Sequence, residues 1–430
     1  MIKSFQRKVN LKNKMPKQTL IFDASVIAEN LGPGRGRSGI YFVAYNVLRE
    51  LVKSNNFKIS LYCRSASCKE FNKFIKENFG NGISVYFGNH FATALAAMNV
   101  WNTNLRKHRL NLTKLLLNVF VRKPIKFLGS IIKLPHFDIA LSPMRIIPNN
   151  INATKKYIIL HDAIPMLFPS YYPQMQSRKY WFYDLSKYIQ TNHNCKYFAV
   201  SNSTKNDFIR LLNAKPDDIT VTPLAAGDNF YPQTDQNKIA QIRQKYNIPN
   251  GKKYVFSLCT LEPRKNLIRA IKTFIEFIRK NEINDLVFVL GGGHWEEFIE
   301  KLQGEISDLG EYKDKIIRAG YVDDVDLSSL YSGAEWFVYT SQYEGFGLPP
   351  LEAMKCGCPV ITSNNSSLPE VVDDAGITID WDNDEQHINA YKKYYSDSKT
   401  RKDMAMRGLA HSKNFSWNKT VESMITEMKK

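Results

Sequence analysis

Apolar residues in the first part of the chain fall in short runs separated by turn-rich polar stretches. TLIFDASVIAEN, the Gly-rich LGPGRGRSG, the helix-period IYFVAYNVLREL and FKISLYCRS predict strand, turn, helix and strand, a βαβ opening. HFDIALSP, KYIILHDA, KYFAVSN and DITVTPLA predict further strands, with a helix at STKNDFIRLL. Residues 231–252, YPQTDQNKIAQIRQKYNIPNGK, are polar and read as a passage between domains. A second series follows: strand YVFSLCT, helix NLIRAIKTFIEFIRKN, strand DLVFVLGGG, helix HWEEFIEKLQ, strand KIIRAGYV, helix DLSSLYSGA, strand WFVYTS, helix PLEAMKCG, and strands PVITSN and AGITID. Strands alternating with helices predict α/β architecture with a parallel, doubly wound sheet in each half, the two facing across a cleft.

At 430 residues the chain exceeds what one core usually supports, which also suggests two domains. The six cysteines form neither a C-x-x-C pair nor a compact framework, so they read as reduced thiols in a cytosolic setting. No apolar run approaches the ~18 residues that span a bilayer. The longest, TLIFDASVIA and FLGSIIKLP, are short and interrupted by Asp23 and Lys133. The N-terminus has cations but no apolar core of a secretory signal behind them, and reads as a basic arm.

Charge changes this picture. Residues 1–150 carry 24 Lys and Arg against 6 Asp and Glu, while residues 151–430 carry 35 against 35, so the whole excess of +18 lies in the first third. Residues 101–136 mix eight cations with Leu, Ile, Val and Phe and contain no acid. Such a stretch fits an anionic membrane surface, or equally a solvated helical hairpin packed on its domain. Nucleic acid is the weakest of the three readings, because no recognised binding module accompanies the charge.

Candidate chemistry gathers where predicted strands end. Glu344 follows WFVYTS, at the sheet edge where ligands of such folds bind, and Glu352 follows Pro349 and Pro350 in what reads as the first turn of the next helix. No Ser or Thr stands three residues before Glu352, so a capping box does not explain it. Two carboxylates flanking Gly345, Phe346, Gly347 and Leu348 suit paired sugar hydroxyls. In CTLEPRKN, Arg264 and Lys265 stand at a helix start and suit phosphate, though two solvated surface charges are an equal reading. His161 and Asp162 follow KYIIL at another sheet edge. Gly36, Arg37 and Gly39 lie on a turn that could admit a diphosphate but is not GxGxxG. The run Asp323 to Asp326 reads as a helix cap and is assigned no metal.

Taken together these residues resemble the retaining glycosyltransferases of family 4, in particular their mannosyltransferase-like members, from HDAIPMLFP to the end of the chain. The resemblance is densest over GYVDDVDLSSLYSGAEWFVYTSQYEGFGLPPLEAMKCGCPVITSNNSSLPEVVDDAG, where Glu344 and Glu352 have the family's E-x7-E spacing. It implies the GT-B fold, with an acceptor-binding Rossmann-like domain over residues 1–235, completed by a C-terminal helix at 415–430, and a nucleotide-sugar-binding domain over 236–414. It implies a catalytic set of His161, Glu344, Lys265 and Arg264. Donor contacts are implied at Gly39, Thr260, Arg264, Lys265, Tyr321, Val322, Gly345, Phe346, Gly347, Leu348 and Glu352. Glu344 is placed near the donor sugar, Glu352 at the ribose hydroxyls and Lys265 at the diphosphate. Thr260 stands where the family commonly has an arginine, with Arg264 as its substitute.

The implied activity is transfer of a hexose, mannose from GDP-mannose being one candidate, with retained configuration, no metal and no further cofactor. The implied partners are a nucleotide-sugar donor and a glycan or lipid-linked acceptor of lipopolysaccharide or polysaccharide synthesis, at the cytoplasmic face of the membrane. The alternatives are an epimerase or hydrolase of similar fold, which would turn over donor without acceptor, and a non-enzymatic basic protein binding nucleic acid or lipid, which would have no use for the glutamate pair.

Overall fold

A computed structural model describes residues 16–31, 39–64, 68–87, 134–172, 181–191, 194–293 and 296–430. The expectations for the basic arm over residues 1–15, for Gly36 and Arg37, and for the basic stretch up to residue 133 lie outside the described residues. The chain divides into two compact units: Met1–Glu29, Leu48–Leu141 and Ile147–Lys156 form the first, and Asn30–Val47, Ser142–Ile146 and Tyr157–Lys430 the second.

The first unit is built on β1 (Thr19–Asp23), β2 (Lys58–Cys63), β3 (Ser84–Phe87), β4 (His136–Ser142) and the first half of β5 (Asn152–Leu160), in the order β3-β2-β1-β4-β5. β1 pairs in parallel with β2 and β4, and Asp138 on β4 accepts from the Thr19 backbone N–H at 2.7 Å. The second half of β5 enters the second unit beside β6 (Lys196–Ala199) and β7 (Ile219–Val221), again in parallel. The helix Trp417–Lys429 meets these strands: Lys196 pairs with Glu427 at 2.7 Å, and the Tyr157 hydroxyl donates to the Glu427 carbonyl at 3.3 Å.

The second unit also holds a six-stranded sheet in the order β10-β9-β8-β11-β12-β13, formed by β8 (Lys253–Leu258), β9 (Leu286–Gly291), β10 (Ile316–Gly320), β11 (Trp336–Tyr339), β12 (Val360–Ser363) and β13 (Ile377–Ile379). Its pairings are all parallel. Every residue of β9 and β11 is buried, as expected of central strands covered on both faces, and this explains their unbroken apolar sequence. Both halves are thus parallel Rossmann-like sheets, as the alternation of runs predicts.

Three local expectations are corrected. The polar passage at 231–252 contains a helix, Gln236–Lys245, because Asp235 accepts from the Asn237 and Lys238 N–H groups and caps it. Glu352 is the fifth residue of the helix Leu348–Lys355, not part of its first turn, because Gly347 at φ 111° starts that helix one residue before the prolines. Asp326 occupies the cap position of the helix Leu327–Ser332, but its carboxylate makes no capping bond; it takes Lys245 Nζ at 2.6 Å and the Tyr246 hydroxyl at 2.8 Å.

Trp336 opens β11 fully buried, with the rings of Tyr394 and Tyr391 6.1 and 6.4 Å away. Trp336→Ala is expected to cost about 3–5 kcal/mol through lost burial and the cavity left behind. Guanidinium unfolding followed by circular dichroism checks this, and a loss below ~1 kcal/mol would mean that the ring is not an anchor of the sheet.

Candidate active site

β8 and β11 are neighbours although β9 and β10 lie between them in sequence, so the order of the sheet reverses there. The loops leaving their carboxyl ends flank the crevice where such sheets bind ligands. After β8, Pro263 opens a single 3-10 turn, Pro263–Lys265, closed by the Lys265 N–H on the Glu262 carbonyl and the Asn266 N–H on the Pro263 carbonyl, both at 3.0 Å. Asn266 then takes a left-handed φ of 58° and anchors to the Trp381 carbonyl at 2.6 Å before the helix Leu267–Lys280 begins. The turn buries Arg264 and Lys265 instead of exposing them as surface charges.

Their partner is Glu344, from the loop after β11. Lys265 Nζ lies 2.6 Å and Arg264 Nη1 3.0 Å from Glu344 Oε1, and Lys265 also donates to the Tyr339 hydroxyl at 2.8 Å. Arg264 is bound from further sides. Nη2 donates to Glu262, Nη1 also donates to the Tyr343 carbonyl, and Nε donates at 3.2 Å to the Tyr172 hydroxyl, which itself donates to Glu262 at 2.8 Å. Burial pushes the Glu344 carboxyl up, but Arg264 and then Lys265 more than offset it and hold it down at about 2. Glu344 is therefore an anion at any working pH.

His161 and Asp162 come from the end of β5. The His161 Nε2 lies 2.7 Å from the Pro143 carbonyl; only an N–H can pair with a carbonyl, so Nε2 carries the proton and Nδ1 keeps its lone pair. Burial lowers the His161 pKa, against that hydrogen bond, and keeps the ring neutral. Burial raises the Asp162 carboxyl, opposed by Arg264 and by the Ile164 N–H at 3.1 Å. An apolar-walled cavity of about 190 Å³ adjoins these groups, lined among others by His161, Asp162, Tyr172, Trp181, Glu262 and Arg264.

The Glu344 loop is gripped from the helix Asn202–Leu212. Ser201 and Thr204 hydroxyls both donate to the Gly345 carbonyl, at 2.7 and 3.1 Å, and Thr204 also reaches the His161 carbonyl at 3.0 Å. A Cβ at position 345 would lie 2.1 Å from that His161 carbonyl, so glycine is obligatory. Ser367 ties down the Glu344 and Phe346 carbonyls, while Phe346 packs edge-on against Phe415 with ring centroids 6.0 Å apart.

The described contacts therefore join His161, Arg264, Lys265, Glu344 and Gly345. Glu352 lies apart from this network: its carboxylate takes the Tyr331 hydroxyl at 3.2 Å, and burial, opposed by that bond, pushes it up to about 7. Thr260 is exposed, as is Tyr321, while Val322 is buried against the end of β9. Gly347 serves the start of the helix Leu348–Lys355, and Gly39 begins the helix Gly39–Ser54, next to Ile40 on the cavity wall. Sequence reasoning missed Glu262, Tyr172 and Tyr339. Glu262 was visible as an acid two residues before Arg264; Tyr172 reaches the cluster only through tertiary structure.

Residues 238–410 match the family model described as glycosyl transferases group 1. O-antigen chain mannosyltransferase B of Escherichia coli is 34% identical over 270 residues, covering 63% of this chain and 68% of that protein. The chain belongs to the glycosyl transferases group 1 family. It is a glycosyltransferase, and its resemblance to family 4 members of mannosyltransferase type is borne out. A second relative, the serotype-specific mannosyltransferase WbdA of Escherichia coli, is 29% identical over 276 residues, 63% of this chain, which spans about a third of that longer protein, 33%. Among solved structures, Anabaena Alr3699/HepE in complex with UDP and glucose matches with a TM-score of 0.66 over 96% of this chain and 99% of that one, at 14% identity. That match shows the GT-B fold.

In this glycosyltransferase, Gly345→Ala is expected to abolish the close approach of the Glu344 loop to His161. Transfer activity should fall at least 100-fold while far-ultraviolet circular dichroism stays native. Activity within threefold of the parent enzyme would show that the loop adjusts and that the contact does not position the site.

Proposed function

We propose that this glycosyltransferase moves a hexose, mannose in the first instance, from a nucleotide-diphosphate sugar to a glycan or lipid-linked acceptor in lipopolysaccharide or polysaccharide synthesis. The observation that carries the reading is the ionised Glu344 held against Lys265 at the switch point of the second sheet. The two relatives named as mannosyltransferases favour the sugar, and the one named for the O-antigen chain favours the pathway. Residues 236–414 are assigned the donor; residues 1–235, with the helix at 415–430 docked on β5 and β6, are assigned the acceptor.

Breaking a glycosyl-phosphate bond leaves negative charge on the diphosphate and positive character on the sugar. Lys265 has one ammonium donor left after Tyr339 and Glu344, and it would stabilise the leaving diphosphate. The fixed Glu344 anion would face the oxocarbenium-like sugar, and His161 Nδ1 would accept from a sugar hydroxyl. Glu352 would accept from the ribose. Retention would follow from attack on the face from which the diphosphate departs, with the departing phosphate taking the acceptor's proton.

No helix among the described residues is long and apolar enough to cross a membrane. The cationic first third would hold the enzyme on the anionic inner face of the cell membrane, where a lipid-linked acceptor is presented. Sedimentation with anionic vesicles at low and high salt tests this placement.

A panel of nucleotide sugars tested for thermal stabilisation checks the donor: GDP-mannose at a hundred times its Kd should add about 2.7 kcal/mol. No stabilisation by any member of the panel would sink the reading. Glu344→Ala should lose transfer at least 100-fold without weakening donor binding.

Glu352 adds a pH signature. Its folded pKa of about 7 lies above the 4.5 of an ordinary glutamate, so ionising it destabilises the fold progressively as pH rises between those values. Ribose hydroxyls favour the carboxylate, so donor binding should release a proton and strengthen from pH 6 to 8. Calorimetry with GDP-mannose reads this directly, and Glu352→Gln should remove the pH dependence. A dependence unchanged in that variant would assign the ribose elsewhere.

A further inference from the structure

Arg264 has five N–H donors, and four are already spent inside the protein: on Tyr172, on the Tyr343 carbonyl, on Glu344 and on Glu262. Two carboxylates, Glu262 and Glu344, pair directly with two cations, Arg264 and Lys265, so these ion pairs are balanced before any ligand arrives. Glu262 holds the guanidinium on the side away from Glu344, and Tyr172 locks both by donating to Glu262 while accepting from Arg264 Nε.

We propose that Glu262 is a positioning residue that holds Arg264 on Glu344, and so off the donor's diphosphate, leaving Lys265 as the cation that meets the leaving group. The inference rests on the donor-site reading above and adds a role for a residue that touches neither substrate. Removing the Glu262 charge leaves the cluster with a net positive charge and frees one edge of the guanidinium. Arg264 can then turn toward phosphate. The enzyme should bind a diphosphate more tightly and transfer sugar more slowly, a pairing that mere loss of stability does not produce.

Glu262→Gln keeps the shape and removes the charge. Calorimetry with inorganic pyrophosphate is expected to show a Kd at least threefold lower than in the parent enzyme. Transfer from the donor found in the nucleotide-sugar panel is expected to show kcat at least tenfold lower, with KM unchanged or reduced. Adding Tyr172→Phe to Glu262→Gln should lower kcat less than twofold further, because both act through one guanidinium.

A kcat within twofold of the parent, or pyrophosphate affinity unchanged or weakened in a folded Glu262→Gln protein, overturns the proposal. Should that variant not fold, Tyr172→Phe alone, which removes no charge, decides: a kcat at least threefold lower with undiminished pyrophosphate affinity supports the proposal, and an unchanged kcat overturns it. Failure of the donor assignment shows separately, as a parent enzyme that binds pyrophosphate but transfers nothing from any nucleotide sugar of the panel.

Discussion

A carboxylate taken out of water costs several kcal/mol unless cations and hydrogen bonds surround it, and the site is organised around that constraint at Glu344. Arg264 and Lys265 supply the cations, and each is itself buried and must be compensated. Glu262 and the Tyr172 hydroxyl compensate Arg264, and Tyr339 shares Lys265. No member can be removed without leaving another charge or donor stranded. The fold makes the arrangement possible by placing β8 beside β11, so that the Pro263 turn and the Glu344 loop emerge side by side.

The same loop ties the cluster to the end of β5. Gly345 offers its carbonyl to Ser201 and Thr204 and its bare Cα to the His161 carbonyl, while Tyr343 donates to Asp207 at 2.7 Å. Glu370, from the helix Leu368–Val372, accepts from the Asn202 and Ser203 N–H groups at 2.8 and 2.7 Å and satisfies the start of the helix Asn202–Leu212. The geometry of His161 relative to Glu344 is thus fixed by backbone carbonyls and short side chains, which have little freedom to drift.

Much of this was legible in the chain. The buried strands β9 and β11 announce themselves as uninterrupted apolar runs, and the residues at the carboxyl ends of the strands follow from the α/β pattern. What stayed hidden was pairing across distance. β3, at the sheet's edge, has no residue fully buried and leaves a weak apolar signal. Tyr172 lies 90 residues from Glu262, and nothing local marks it as a partner. Arg264 was readable as a cation at a turn but not as one with four of its five donors already spent, because sequence shows which donors exist and not where they are spent. Glu352 was displaced by one residue, out of the first turn, because the prolines sit at the second and third helical positions, where their fixed φ is equally at home.

The two glutamates of the E-x7-E spacing show how one residue type acquires two characters. Glu344 and Glu352 are joined by a single loop and helix, yet cations hold the first at about 2, and burial, with no cation at hydrogen-bonding distance among the described residues, lifts the second to about 7. Glu344 is a permanent charge, suited to facing a developing cation without changing its own protonation. Glu352 titrates near neutral pH, so hydroxyls donating to it would favour its charged form, as the proposed ribose contact requires. The spacing sets where the two carboxylates emerge. The neighbours at each end, Arg264 and Lys265 for one and Tyr331 for the other, set what each carboxylate can do.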